Sequence, residues 1–112
     1  MYILESNFYL KIHQYQGYLI VAVCDEEILG KVFKESDVIL NVSPNFYKGE
    51  IVGFEKALEA IKSADIAVIT GKRIVEKLAE IGLISKDFAL KVGDQLHVQI
   101  VREVLSIDKI LR

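Results

Sequence analysis

Four consecutive residues, Cys24, Asp25, Glu26 and Glu27, place a thiol and three carboxylates at the end of an apolar run. Backbone N–H groups of a following helical turn can lower the pKa of such a thiol, but the neighbouring carboxylates raise it. A cysteine nucleophile also needs a base, and His13 on the neighbouring predicted strand is the candidate. Because the pattern supplies no group to orient that base, it favours a buried structural cysteine.

The two histidines, His13 and His97, are the other residues that could bind a metal, together with Cys24 or Asp25. Their spacing matches no paired-ligand motif such as His-x-x-x-His. Cys24 is the single cysteine of the chain, which excludes an internal disulfide and a thiolate-rich zinc site. We therefore predict no catalytic residue, no metal site and no bound cofactor.

A basic segment, Thr70-Gly71-Lys72-Arg73, joins an apolar strand to a helix. Backbone N–H groups and basic side chains at such a junction can contact a phosphate. Neither the phosphate-binding loop motif nor the dinucleotide-binding glycine motif is present, so nucleotide hydrolysis has no signature here. The alternative is an ordinary helix start, with Thr70 as the N-cap and solvated charges.

The aromatic pair Phe46-Tyr47 and the adjacent Lys48 follow Pro44 in the longest predicted loop. Aromatic rings beside a lysine can stack on an RNA base and neutralise its phosphate, although the same rings can simply fix the loop. Lys31 adds to a local positive balance across this region. On the last clear strand, His97 and Gln99 lie side by side on one face, either as a binding row or as a solvated surface. The candidate binding residues are Asp25, Glu26, Lys31, Phe46, Tyr47, Lys48, His97 and Gln99.

Hydrophobic periodicity predicts the elements that position these residues. Phe8 to His13 and Tyr18 to Cys24 form a hairpin around Gln16-Gly17, and the fully apolar second strand is predicted to be central. A short turn from Glu26 to Leu29 stops at Gly30, a strand spans Val38 to Val42, and the charged segment between them is assigned no strand. A helix with Phe54, Ala57, Leu58 and Ile61 on one face follows.

The rest of the chain adds a strand from Ala64 to Ile69, a helix closed by Gly82, and a hairpin around Gly93-Asp94. In that helix, Ile74, Leu78 and Ile81 share a face. The predicted fold is α+β, with a small mixed sheet of hairpins and two packed helices in a single domain over residues 1–112. The apolar tail, residues 103–112, either docks on the domain or forms a surface for a second copy.

Composition narrows the class of protein. The chain has 112 residues, 52% of them hydrophobic, and a formal net charge of −2, which disfavours strong nonspecific binding to nucleic acid. Its longest apolar stretch, Tyr18 to Cys24, is too short to span a membrane as a helix. The first residues lack the basic and apolar regions of a secretion signal, so we expect a cytoplasmic protein without a membrane partner.

The segments Val21 to Phe33, Asp37 to Ser43, Phe46 to Gly49 and His97 to Val101 resemble archaeal proteins grouped as domain of unknown function family 424. The resemblance covers roughly residues 8–102. It implies a cytoplasmic archaeal protein of about one domain and names no reaction or substrate. The residues that carry the family-like pattern are Cys24, Asp25, Glu26, Leu29, Gly30, Lys31, Phe33, Phe46, Tyr47, Gly49, His97 and Gln99.

Three functional hypotheses follow. The first is a noncatalytic binding module in archaeal information processing, with RNA or a translation-associated protein as partner. The second is a small enzyme with a site near Cys24, Asp25 and His97. The third is a homo-oligomeric adaptor that associates through the apolar residues of 104–111.

Overall fold

The N-terminal hairpin forms as the turn sequence predicts. In the computed structural model, which describes residues 7–102, strands β1 (Phe8–Tyr15) and β2 (Tyr18–Asp25) pair antiparallel along their whole length. Gln16 and Gly17 both have positive φ, 49° and 81°, as a tight two-residue turn between twisted strands requires.

A small second hairpin follows β2. A 3-10 turn, Glu26–Ile28, ends before Gly30, whose φ of 83° confirms the predicted change of chain direction. Strands β3 (Val32–Glu35) and β4 (Val38–Asn41) then pair antiparallel as a separate two-stranded sheet. Helix α1, Pro44–Tyr47, is a single turn in the segment that the sequence predicted to be a loop.

The second half of the chain alternates strands with the two longer helices. Its elements in chain order are β5 (Glu50–Val52), α2 (Phe54–Ser63), β6 (Ile66–Thr70), α3 (Lys72–Glu80), β7 (Leu90–Val92) and β8 (Gln95–Val101). A second 3-10 turn, Lys86–Phe88, precedes β7. Gly93, with a φ of 61°, and Asp94 connect β7 to β8 as predicted.

The main sheet has the strand order β5-β1-β2-β6-β8-β7, so β2 is an inner strand, which confirms that prediction. The sheet is mixed, because β2 and β6 pair parallel while every other pair of neighbouring strands in it is antiparallel. Helices α2 and α3 cover one face. The main core lies beneath them, with Phe8, Val23, Ile69, Ile74 and Leu78 fully buried. The predicted α+β architecture of a mixed sheet with packed helices is therefore confirmed.

The opposite face of the sheet carries a smaller core. Ala22 and Cys24 of β2 pack there against two residues from outside the main sheet. These are Val42, which directly follows β4, and Tyr47, the last residue of α1. Strands β3 and β4 also contact β7, and this second face still leaves Leu90 of β7 and Gln99 of β8 exposed. We call it the open face.

Besides helix α1 in the predicted loop, three details of the sequence prediction were wrong. Helix α3 begins at Lys72 with Gly71 as its N-cap, so Thr70 does not cap it. The charged segment 31–37 contains strand β3, whose apolar residues are flanked by charges. Ile81 is 53% exposed, since the helix ends one residue earlier and Gly82, with a φ of 80°, turns the chain away.

Two further predictions concern the ends of the chain and membranes. The apolar tail, 103–112, lies outside the described residues. Within residues 7–102, no helix combines the length and the apolar character that are needed to cross a bilayer.

Candidate functional site

A chain of hydrogen bonds links three side chains on the open face. Thr70 ends β6, and His97 of β8 is its direct partner in the antiparallel ladder. Their side chains therefore lie together, with 2.7 Å between Thr70 Oγ1 and His97 Nδ1. The Tyr47 hydroxyl is 2.8 Å from the same Thr70 oxygen. We call Tyr47, Thr70 and His97 the relay.

Strand β1 holds Tyr47 in place through its polar side chains. Lys11 Nζ donates a hydrogen bond of 2.8 Å to the carbonyl of Asn45, and His13 Nε2 lies 2.9 Å from the carbonyl of Phe46. The His13 ring also stacks on Phe46, with 4.8 Å between the ring centroids. These contacts fix α1 against the sheet, so Tyr47 is directed inward and only 4% exposed.

The relay groups are neutral at pH 7. Burial raises the pKa of the Tyr47 phenol, which already titrates well above neutrality, and the hydrogen bond to Thr70 offsets part of this rise. Burial lowers the pKa of His97, and among the residues that the structure describes its ring hydrogen-bonds to no carboxylate. A neutral imidazole therefore ends the relay near the surface.

Gln99 lies two residues after His97 on the same face of β8, as the strand period predicts. Its Nε2 atom is 3.3 Å from His97 Nε2, and the residue is exposed. Two apolar residues flank this pair: Leu90 of β7, opposite His97 in the ladder, and Val101, two positions beyond Gln99. They are 47% and 64% exposed. We call Leu90, His97, Gln99 and Val101 the β8 patch.

Cys24 lies in the smaller core beside Tyr47 and is fully buried. Burial, and then the negative charges of Asp25 and Glu27, raise the pKa of its thiol to about 12. The structure does not bring His13 to it, because His13 pairs with Ile20, four residues along β2 from Cys24. A protonated thiol without a base is a poor nucleophile.

Asp25 is on the other side of the sheet, where it caps α3. Its Oδ2 accepts from the backbone N–H of Arg73 at 2.8 Å, and its Oδ1 accepts from that of Ile74 at 2.9 Å. Burial raises the pKa of Asp25 to about 6, although these hydrogen bonds and the Arg73 charge act in the opposite direction. The N–H groups that the sequence offered to a phosphate thus contact a carboxylate of the chain.

Arg73 joins the same junction through its side chain. It forms two hydrogen bonds with the carboxylate of Glu27, of 2.6 and 2.7 Å, and one of 3.0 Å with the carbonyl of Asn7. Its guanidinium also lies 4.8 Å from the centroid of the Phe8 ring. The side-chain hydrogen bond from Arg73 lowers the pKa of Glu27, so both remain charged. The two polar segments 24–27 and 70–73 therefore meet as one structural junction.

The structure brings together only some of the candidate binding residues that the sequence predicted. His97, Gln99 and Tyr47 come together through Thr70, and Phe46 packs beside Tyr47 with its ring 5.0 Å away. The others, Asp25, Glu26, Lys31 and Lys48, contribute to none of the hydrogen bonds of the relay. Sequence reasoning missed Thr70 as a site residue. The available signal was a hydroxyl at the last, buried position of an apolar strand, which was assigned to capping.

No metal site emerges from this arrangement. Among the described residues, no group of three or more histidine, cysteine, aspartate and glutamate side chains is placed to hold a metal ion. The chemistry that the site offers is hydrogen bonding from an imidazole and an amide.

Comparisons with known proteins identify a matching family and a similar structure. The model of the family described as protein of unknown function (DUF424) matches residues 13–102, which include the relay and Gln99. A crystal structure of an uncharacterized conserved protein from Methanopyrus kandleri is similar, with a TM-score of 0.66 and 26% sequence identity. The match covers 85% of this chain and 90% of that one. A comparison with curated proteins gave no match.

Proposed function

We propose that this chain, which belongs to the DUF424 family of proteins of unknown function, is a noncatalytic binding module whose partner docks on the β8 patch. The observation that carries the proposal is the relay. It fixes a neutral imidazole at His97 beside the exposed amide of Gln99, with exposed apolar side chains on either side. Interfaces between proteins combine buried apolar side chains with a small number of direct hydrogen bonds, and the β8 patch offers both.

The chemistry of the site supports binding rather than catalysis. A general base needs a partner that orients it and stabilises its charged form, and His97 instead contacts a threonine hydroxyl and an amide. The Cys24 thiol, with its pKa raised to about 12, is not activated. The Cys24 thiol is therefore not an activated nucleophile, His97 has no orienting carboxylate among residues 7–102, and Asp25, with its pKa raised to about 6, is engaged in capping α3.

A protein is the partner that the surface favours. RNA binding was predicted from Phe46 and Tyr47, but Tyr47 is buried and Phe46 stacks on His13, so both rings already serve the fold. The apolar flanks of the β8 patch and the net charge of −2 suit a protein better than a phosphate backbone. The similar protein from an archaeon supports an archaeal setting. A translation-associated protein as the partner stays a prediction from the sequence.

Site-specific photo-crosslinking in cells of the source organism tests the proposal. The photoreactive residue replaces Val101, which leaves His97 and Gln99 intact, and a control replaces Glu59, exposed on α2 of the other face. We expect a protein adduct from position 101 that is absent from position 59 and lost in a His97→Ala background.

Other outcomes of this experiment overturn the proposal. Equal adducts from both positions, or an adduct that is unaffected by His97→Ala, would show that the β8 patch is not the docking surface. An adduct removed by ribonuclease would assign the patch to RNA. An adduct of twice the chain mass would identify a second copy and support the oligomer hypothesis.

A further inference from the structure

The hydrogen bonds of the relay run in one direction. Among the described residues, the Tyr47 hydroxyl has a hydrogen bond only with Thr70 Oγ1, and it is buried. A buried O–H group without an acceptor costs about 1–3 kcal/mol, so the phenol proton is donated to Thr70. The single hydroxyl proton of Thr70 is then directed to its other contact, His97 Nδ1.

This direction fixes the tautomer of His97. Because Nδ1 accepts from Thr70, the proton of the neutral ring is on Nε2, the atom that faces Gln99. The Gln99 amide nitrogen lies 3.3 Å from that atom. Two N–H donors thus lie side by side, and they are satisfied when one acceptor oxygen lies within hydrogen-bond distance of both or when the Gln99 amide is rotated to present its oxygen to His97.

We propose that His97 and Gln99 together bind a backbone carbonyl oxygen of the partner, each donating one N–H group to it. This inference rests on the proposed function and specifies the group that the patch recognises. A carbonyl suits the site better than a carboxylate, because within residues 7–102 no lysine or arginine hydrogen-bonds to His97 or Gln99, and the chain is net negative. Leu90 and Val101 bury apolar surface of the same segment.

Nitrogen-15 NMR of the imidazole ring tests the tautomer directly and needs no partner. We expect long-range couplings that place the ring proton of His97 on Nε2 at pH 7. In Thr70→Val, which removes the donor, the ring loses this fixed preference. Thr70→Ser keeps the hydroxyl and retains it, which separates the relay from any loss of folding. A ring protonated on Nδ1 in the wild type would overturn the inference, whether or not the crosslinking experiment finds a partner.

Titration with N-methylacetamide, a minimal peptide group, tests the ligand. We expect chemical shift changes at the Gln99 side-chain amide and the His97 ring, and none at Gln14, an exposed glutamine on the other face of the sheet. Gln99→Ala should weaken the His97 response about fivefold, as expected for one lost hydrogen bond.

Two further ligands identify alternative chemistries. Acetate at matched ionic strength and uridine are titrated in the same way. A stronger response to acetate would overturn the assignment of a neutral carbonyl, and a stronger response to uridine would assign the site to a nucleobase. Equal shifts at Gln14 and Gln99 would show that the amide has no site on the β8 patch.

Discussion

The carboxyl group of Asp25 occupies the space that a side chain at Gly71 would need. A Cβ atom built on Gly71 would lie 2.5 and 2.7 Å from the two carboxylate oxygens, closer than the Cβ atoms of folded proteins approach other heavy atoms. The φ of Gly71 is 134°, a backbone conformation that residues other than glycine rarely adopt. The helix N-cap therefore has no side chain of its own, and a strand residue 46 positions earlier supplies the cap.

Gly71→Ala tests this relationship. We expect the free energy of unfolding to fall by about 3 kcal/mol, because the methyl group displaces the Asp25 carboxylate and the backbone is strained as well. Gly82→Ala is the matched control, since Gly82 also has a positive φ but open space around it, and its cost is about 1 kcal/mol. Urea denaturation measures both, and equal losses would contradict the steric argument.

The buried Asp25 also makes stability depend on pH. Because its pKa rises from 3.8 to about 6 on folding, the folded state binds a proton more tightly than the unfolded chain. Its contribution to stability is therefore largest below pH 4 and declines by up to about 3 kcal/mol as the pH rises past 6. Asp25→Asn, which cannot titrate, provides the reference.

Denaturation of both proteins at pH 4 and pH 7 measures this contribution. We expect the stability of the wild type relative to Asp25→Asn to be greater at pH 4 than at pH 7. A relative stability that increases with pH would show that the helix N–H groups and Arg73 outweigh burial at this carboxyl group.

The hairpins of this fold were predictable because their signals are local. Gln16, Gly17 and Gly93 supply the positive φ values that tight turns need, and each turn lies between strands of opposite direction. Strand β3, Val32–Glu35, was missed because it is short and exposed, and its register depends on pairing with β4. Its turn residue Ser36 has a φ of 54°, which serine rarely signals in a sequence.

The site was predictable only in part. The strand period placed His97 and Gln99 side by side, since both lie on one element. Their connection to Tyr47 through Thr70 depends on the β6–β8 register and on the docking of α1, which are long-range contacts. Periodicity carries no information on such pairings, so Thr70 was assigned to the helix that follows it.

Removing the Thr70 hydroxyl should destabilise the fold as well as the relay. Thr70→Val leaves the buried Tyr47 hydroxyl without an acceptor, and we expect a loss of about 2–3 kcal/mol in the free energy of unfolding. Thr70→Ser keeps both hydrogen bonds and loses only one methyl group, at a cost of about 1 kcal/mol. Thermal or urea denaturation compares the two, and a valine variant as stable as the serine variant would contradict the relay.

The thiol of Cys24 should be almost inert in the folded protein. Its pKa of about 12, against 9.0 for the free side chain, reduces the thiolate fraction at pH 8 about a thousandfold, and the side chain is fully buried. We expect iodoacetamide to modify the native protein at least that much more slowly than the same chain in urea. Mass spectrometry over time measures both rates. Native alkylation as fast as that of the unfolded chain would restore the cysteine enzyme as a hypothesis, because it would require an accessible thiolate.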